Sequence, residues 1–88
     1  DGDDLQIIGP YPNPIEDRLN LDLIAPSAGD MDLRVYNALG QKVYQGKDFN
    51  LNEGLNPFSI DVPSWGSGNY YLEIRFGGKV VKKLFLQN

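Results

Sequence analysis

Hydrophobic residues recur at every second position through most of this chain. Leu19, Leu21 and Leu23 alternate with Arg18, Asn20 and Asp22. Met31, Leu33 and Val35 alternate with Asp32, Arg34 and Tyr36. Phe58, Ile60 and Val62 alternate with Ser59 and Asp61, and Tyr70, Leu72, Ile74 and Phe76 with Tyr71, Glu73 and Arg75. A period of two sends successive side chains to opposite faces of a strand, so each run predicts a half-buried β-strand. No stretch combines a helical period of about 3.6 with helix caps.

Turn residues divide these runs. Asn37-Ala38-Leu39-Gly40 suits a type I turn, with Gly40 accepting the left-handed conformation, and predicts a hairpin joining 31–36 to 41–46. Gly77-Gly78 predicts a two-residue hairpin joining 70–76 to 79–87. Pro26-Ser27-Ala28-Gly29 and Asn52-Glu53-Gly54 are further breaks, and Pro63 to Gly68 reads as a longer loop crossing between sheets. The predicted strands are 5–9, 18–24, 31–36, 41–46, a short one near 47–51, 56–62, and the closing hairpin 70–76/79–87. About seven short antiparallel strands with regular turn signals predict an all-β fold, an immunoglobulin-like antiparallel β-sandwich. In such sandwiches a tyrosine near the start of a late strand can bond back to upstream backbone. Tyr70, in the inward phase with Leu72 and Ile74, is the candidate for that fold-fixing role.

Composition narrows what the sandwich can do. Eighty-eight residues make one small domain, which buries roughly 60–65% of its unfolded surface. The chain has no cysteine and no histidine. No disulfide supports the core, and thiolate nucleophiles, the usual neutral-pH general base and most zinc sites are all excluded. A net charge of −4 argues against nucleic acid as a partner. No apolar run reaches the roughly 18 residues of a membrane helix, and no signal peptide is visible. The chain starts at Asp1 and its one methionine is Met31, so it reads as a fragment or processed piece of a longer protein.

The charge is unevenly distributed. Residues 1–32 hold eight acids and one base, Arg18, whereas residues 75–88 hold Arg75, Lys79, Lys82 and Lys83 and no acid. Lysines on a terminal strand can simply guard a sheet edge against aggregation. The acids form no convincing site. Asp1-Gly2-Asp3-Asp4 lacks the spacing of a calcium loop and reads as an acidic linker. Glu16, Asp17, Asp61 and Glu73 invite comparison with a glycosidase pair, but Asp61 and Glu73 fall on the polar phase of their strands. Tyr11, Tyr36, Tyr44, Trp65 and Tyr71 are scattered over loops and different strands and read as packing or single exposed residues, with Trp65 the one to watch. Gly40 and Gly77-Gly78 precede no helix and make no phosphate cradle. The residues predict no enzyme activity, no catalytic or metal residue, no cofactor and no small-molecule substrate.

Tyr11-Pro12-Asn13-Pro14, followed by Asp17-x-Leu19-x-Leu21, resembles the opening of the type A C-terminal sorting domain of the type IX secretion system of Bacteroidetes. Arg34-Val35-Tyr36-Asn37-x-x-Gly40-Gln41-x-Val43 is similar to that family's strand–turn–strand block. Gly54-x-Asn56, Ile60-Asp61-Val62, Gly68-x-Tyr70 and Lys82-Lys83-Leu84 follow in the family's order, so the resemblance covers residues 8 to 87. There are two departures. Asn69 stands where the family often packs an apolar residue, and Gln87-Asn88 replaces a basic ending.

The resemblance implies a function that composition does not. Such domains direct a folded, covalently linked upstream cargo from the periplasm through an outer-membrane translocon to the cell surface or medium. A surface peptidase then commonly removes the domain, and the cargo is often attached to the surface. The expected partners are therefore the type IX machinery, the peptidase and the cargo. Residues 1–9 would be the acidic linker and start of the first strand, and 10–88 the sorting domain. By the same analogy Lys79, Lys82, Lys83, Leu84 and Leu86 are the candidate translocon-recognition residues. Pro12, Asn13, Pro14, Gly40, Gly68 and Tyr70 are the family-motif structural ones. Pro10, Pro12 and Pro14 restrict the lead-in segment and lower the entropy a partner must remove. Two other classes compete: a carbohydrate-binding or adhesive accessory module of a secreted protein, and a structural spacer of fibronectin type III kind.

Overall fold

The structure, a computed structural model, describes residues 4–12, 14–62 and 65–87. The described residues form seven strands and no helix. In chain order they are β1 (Gln6–Tyr11), β2 (Arg18–Ala25), β3 (Gly29–Asn37), β4 (Lys42–Leu51), β5 (Gly54–Asp61), β6 (Gly68–Phe76) and β7 (Lys79–Gln87). They make a three-stranded sheet in the order β1-β2-β5 and a four-stranded sheet in the order β4-β3-β6-β7. All strand pairs are antiparallel. This is the two-layer immunoglobulin-like arrangement, with the first, second and fifth strands facing the rest.

The alternating leucines explain why the layers hold. Leu19, Leu21 and Leu23 of β2 and Met31, Leu33 and Val35 of β3 are fully buried, as are Leu72 and Ile74 of β6. Leu5, Ile15, Ala25, Leu51, Ile60, Val62, Tyr70 and Phe85 complete the buried core between the sheets. Burying each large apolar side chain is worth about 1.5–3 kcal/mol, and β2, β3 and β6 supply most of that. The outward phase of the same strands carries Asn20, Asp22, Asp32, Arg34 and Glu73.

Most strands run one or two residues beyond or short of the sequence expectation, and two regions differ in kind. The predicted strands 41–46 and 47–51 are one continuous strand, β4. The phase break between them is a bulge. Met31 pairs with Phe49 but Leu33 pairs with Gly46, so β4 spends one extra residue against β3. Asp48 takes a φ of 60° there, and its N–H donates to the Asp32 carboxylate at 3.1 Å. The bulge turns Phe49 inward, where its ring meets Phe58 edge-on at 4.9 Å. The count of seven stands because β6 and β7 are separate strands. The first strand runs from Gln6 to Tyr11 rather than 5–9, with its own register break between Ile8 and Tyr11. The Gly9–Pro10 and Tyr11–Pro12 peptide bonds are cis.

The hairpins follow their turn residues. Gly40 N–H donates to the Asn37 carbonyl at 3.0 Å, closing the β3–β4 turn with a φ of 85° at Gly40. Gly77 and Gly78 both have positive φ, the type I′ geometry that matches strand twist and that residues with a Cβ resist. The chain crosses between sheets from β5 to β6, through the loop predicted there; its Pro63 and Ser64 lie outside the described residues.

Candidate functional site

Of the acidic residues considered for chemistry, Asp61 and Glu73 lie on different sheets and each is paired with an arginine. Asp61 accepts a bond from Arg18 at 3.0 Å, on the exposed face of the three-stranded sheet. Glu73 accepts one from Arg34 at 3.4 Å, on the outer face of the other. Asp4 pairs with Lys79, whose hydrogen bond and charge hold the Asp4 carboxyl below its ordinary value. Asp1, Gly2 and Asp3 lie outside the described residues. Among the described residues no three acidic side chains come together as a metal group would require.

The proline-rich lead-in segment ties the two sheets at one edge. Pro12 and Pro14 are exposed, and Asn13 lies outside the described residues. Asn20 Nδ2 donates to the Tyr11 carbonyl at 3.1 Å, and the Tyr11 hydroxyl donates to Asp22 at 3.2 Å. Partial desolvation, then that bond to a carboxylate, raise the Tyr11 phenol above its usual value. Beyond Pro14 the chain changes sheets. Ile15 is buried, its N–H donates to the Leu86 carbonyl at 2.8 Å, and it pairs in parallel with Gln87. Gln87 Nε2 in turn donates to the Glu16 carbonyl at 2.9 Å.

Tyr70 anchors the crossover between the sheets. Only 3% exposed, it directs its hydroxyl at the carbonyls of Trp65 and Gly66, at 2.6 and 2.7 Å. Its ring stacks on Phe85 of β7 at 5.6 Å and touches Trp65 at 5.8 Å. Gly68 opens β6 with a φ of 139°. Trp65 is half-buried and packs on Tyr44 as well, at 6.3 Å, so its ring is engaged by the core.

The candidate recognition residues of β7 divide between two faces. Lys82, Leu84 and Leu86 share the outer face with Val80, whereas Lys83 takes the inner phase with Val81, Phe85 and Gln87. Lys79 stands at the turn beside Asp4. The outer face is apolar for a sheet surface: Leu84 is 61% exposed, Tyr71 46%, Val80 and Leu86 45% each. Register places Tyr36, Tyr71 and Leu84 in one row across β3, β6 and β7, and Arg34, Glu73 and Lys82 in the next. Between the rows, Tyr36, Gly40, Tyr71, Glu73 and Lys82 line a groove of about 480 Å³.

Two members of this face, and Ile15 at the edge of β7, did not emerge from the sequence as neighbours. Tyr36 and Tyr71 are 35 positions apart, and only the pairing of β3 with β6 makes them adjacent. Ile15 reaches β7 by the change of sheet described above. The period-two pattern gave the phase of each residue but not which strands stand together.

Residues 10–87 match the family model described as the secretion system C-terminal sorting domain. No curated protein matches the chain.

Proposed function

The chain belongs to the family of secretion system C-terminal sorting domains, the sorting signals of type IX secretion, and from that premise we propose how it acts. It carries a covalently linked, folded cargo from the periplasm through the outer-membrane translocon. A surface peptidase then removes it, and the cargo stays on the surface. The domain performs no chemistry of its own. It is read as a shape, and Pro12, Asn13, Pro14, Gly40, Gly68 and Tyr70 keep that shape.

The read surface is β7, through Lys79, Lys82, Lys83, Leu84 and Leu86. The observation that supports this is the outer face, where Leu84, Leu86, Val80 and Tyr71 stand exposed beside Lys82. Exposed apolar side chains grouped on one sheet face with a charged rim are the usual make-up of a protein contact. The test is export of a periplasmic reporter fused to residues 1–88, in strains with and without the type IX translocon. Export only in the first establishes sorting; retention of a folded fusion in both removes the reading. The Lys82→Ala/Lys83→Ala fusion should keep its fold, within about 1 kcal/mol, because Lys82 is exposed on the outer face and the half-buried Lys83 makes no ion pair among the described residues. It should lose export, and unchanged export would remove β7 as the surface.

A saccharide-binding role is the rival. What favours it is the pair Tyr36 and Tyr71 beside Glu73 and Lys82, a polar-rimmed aromatic groove. Glycan-array binding that Tyr71→Ala abolishes would promote it.

A further inference from the structure

The two sheets have four outer edges, and three of them resist strand addition. β4 is kinked by the bulge at Asp48. β5 carries Pro57 and β1 carries Pro10, together with the register break after Ile8. Prolines and bulges are the usual devices that keep a sheet edge from pairing. β7 has neither. It pairs with β6 from Lys79 to Gln87 without a register shift, so its outer side is a straight, regular edge.

The direction of its free groups follows from one bond. The Leu86 carbonyl accepts from Ile15, which lies on the side away from β6. Backbone groups alternate sides along an antiparallel strand, so Leu84, Lys82 and Val80 also turn their N–H and C=O outward. Ile15 pairs with this edge only at its last positions, beside Gln87. The chain thus begins a strand along β7 and, among the described residues, leaves the rest open. Next to the open stretch a groove of about 610 Å³ is lined by Leu5, Pro26, Phe76 and Val81, with Asp4 and Lys79 at its rim. The basic cluster Arg75, Lys82 and Lys83 sits on or beside this edge, and neither Lys82 nor Lys83 makes an ion pair among the described residues.

We propose that β7 is an acceptor edge: an extended, acidic segment of a partner protein adds to it as a strand over Val80–Leu84. Main-chain bonds to Val80, Lys82 and Leu84 would hold it, carboxylates on its outer face would stand beside Lys82, and an apolar side chain on its other face would enter the Leu5–Val81 groove. Strand addition works this way, with backbone bonds giving affinity and alternate side-chain pockets giving selectivity. Charge selects this occupant over a second copy of the chain. Antiparallel self-pairing over Val80–Leu84 is centred on Lys82 and sets that lysine against its own image, and like charges directly opposite are unfavourable. This inference rests on the reading of β7 as the surface the export machinery recognises.

The test separates the two claims. In the reporter fusion, Lys82→Pro removes an outward N–H and blocks the edge, without breaking a bond to β6; Lys82→Ala removes the charge alone. With thermal melts confirming the fold, the proline variant should export about tenfold less than the alanine variant, the worth of one good main-chain bond. Equal export of the two, with export still lost in Lys82→Ala/Lys83→Ala, overturns strand addition and leaves β7 as a surface read by charge. Normal export of all three overturns both. A second measurement needs no variant: amide exchange of the unaltered domain with a nine-residue peptide alternating Glu and Val. Val80, Lys82 and Leu84 should be protected about tenfold over the matched Lys–Val peptide. No added protection at these three amides at millimolar peptide overturns the proposal.

Discussion

Removing one oxygen atom at Tyr70 tests how this sandwich is closed. Tyr70→Phe keeps the ring that stacks on Phe85 and touches Trp65, and deletes the hydroxyl aimed at the Trp65 and Gly66 carbonyls. A phenol has one proton to donate, so the two carbonyls share it, and the loss is one hydrogen bond plus the cost of acceptors left short. An intramolecular hydrogen bond nets about 0.5–1.5 kcal/mol, and poorly satisfied acceptors add to that, so the expected destabilisation is about 1–2 kcal/mol. For a domain of this length it should lower the melting temperature by about 4–12 °C. Tyr70→Ala also removes the stacked ring and should cost about 3–5 kcal/mol. Urea unfolding followed by Trp65 fluorescence is the natural assay, because Trp65 is the sole tryptophan and lies against Tyr70. A Tyr70→Phe midpoint within error of the parent would refute the argument. So would equal losses for Phe and Ala, since the hydroxyl and ring would then not be separable.

Two further outcomes follow from single contacts. Asn56 closes the β4–β5 turn by accepting from the Asn52 N–H at 2.9 Å and donating to the Asn52 and Gly54 carbonyls at 2.8 and 3.0 Å. Asn56→Ala should therefore cost about 1–2 kcal/mol in the same unfolding assay, and Asn56→Asp, which keeps only the acceptor, should fall close to it. The Asp4 carboxyl, lowered by its hydrogen bond to Lys79 and then by the lysine's charge, should titrate by carboxyl carbon NMR below its ordinary 3.8 and return there in Lys79→Met. Because its folded value is depressed, the contact is fully present above pH 3.8 and is lost as pH falls through the folded value. A titration at 3.8 in the parent would show that the pair does not form in solution.

The strands were legible because the core is built by strict alternation. Leu19, Leu21 and Leu23, or Met31, Leu33 and Val35, fix both the element and its buried face without knowledge of any partner. The reading weakened where alternation slipped. At Lys47-Asp48 a bulge shifts the phase by one residue, and a broken period looks the same in sequence as two short strands. Asp48 tolerates a left-handed φ better than most residues with a Cβ, but an isolated aspartate on the polar phase of a strand is not by itself a bulge signal. The candidate surface was legible only as single residues. Lys82 and Lys83 are neighbours in sequence yet take opposite faces, a consequence of strand geometry that a cluster of charges conceals. The adjacency of Tyr36 to Tyr71 depends on strand order, which is set by packing of the whole sandwich rather than by either segment.

The latch between Ile15–Glu16 and Leu86–Gln87 also bears on the order in which the domain forms. Gln87 and Glu16 lie 71 positions apart, and β3 reaches β6 across more than thirty. Contacts so distant in sequence make folding slow relative to a helical domain of similar size. β7 follows every other strand in the chain, so during synthesis the lead-in segment has nothing to close against until the final strand leaves the ribosome. Phe85, the stacking partner of Tyr70, arrives with it. A polypeptide cut short before β7 would present an unlatched first segment, an uncovered Tyr70 ring and no acceptor edge. Because the closing strand comes last in the domain, the finished shape is a record that synthesis has passed through β7, and a receptor that binds only that shape would pass over chains cut short before it.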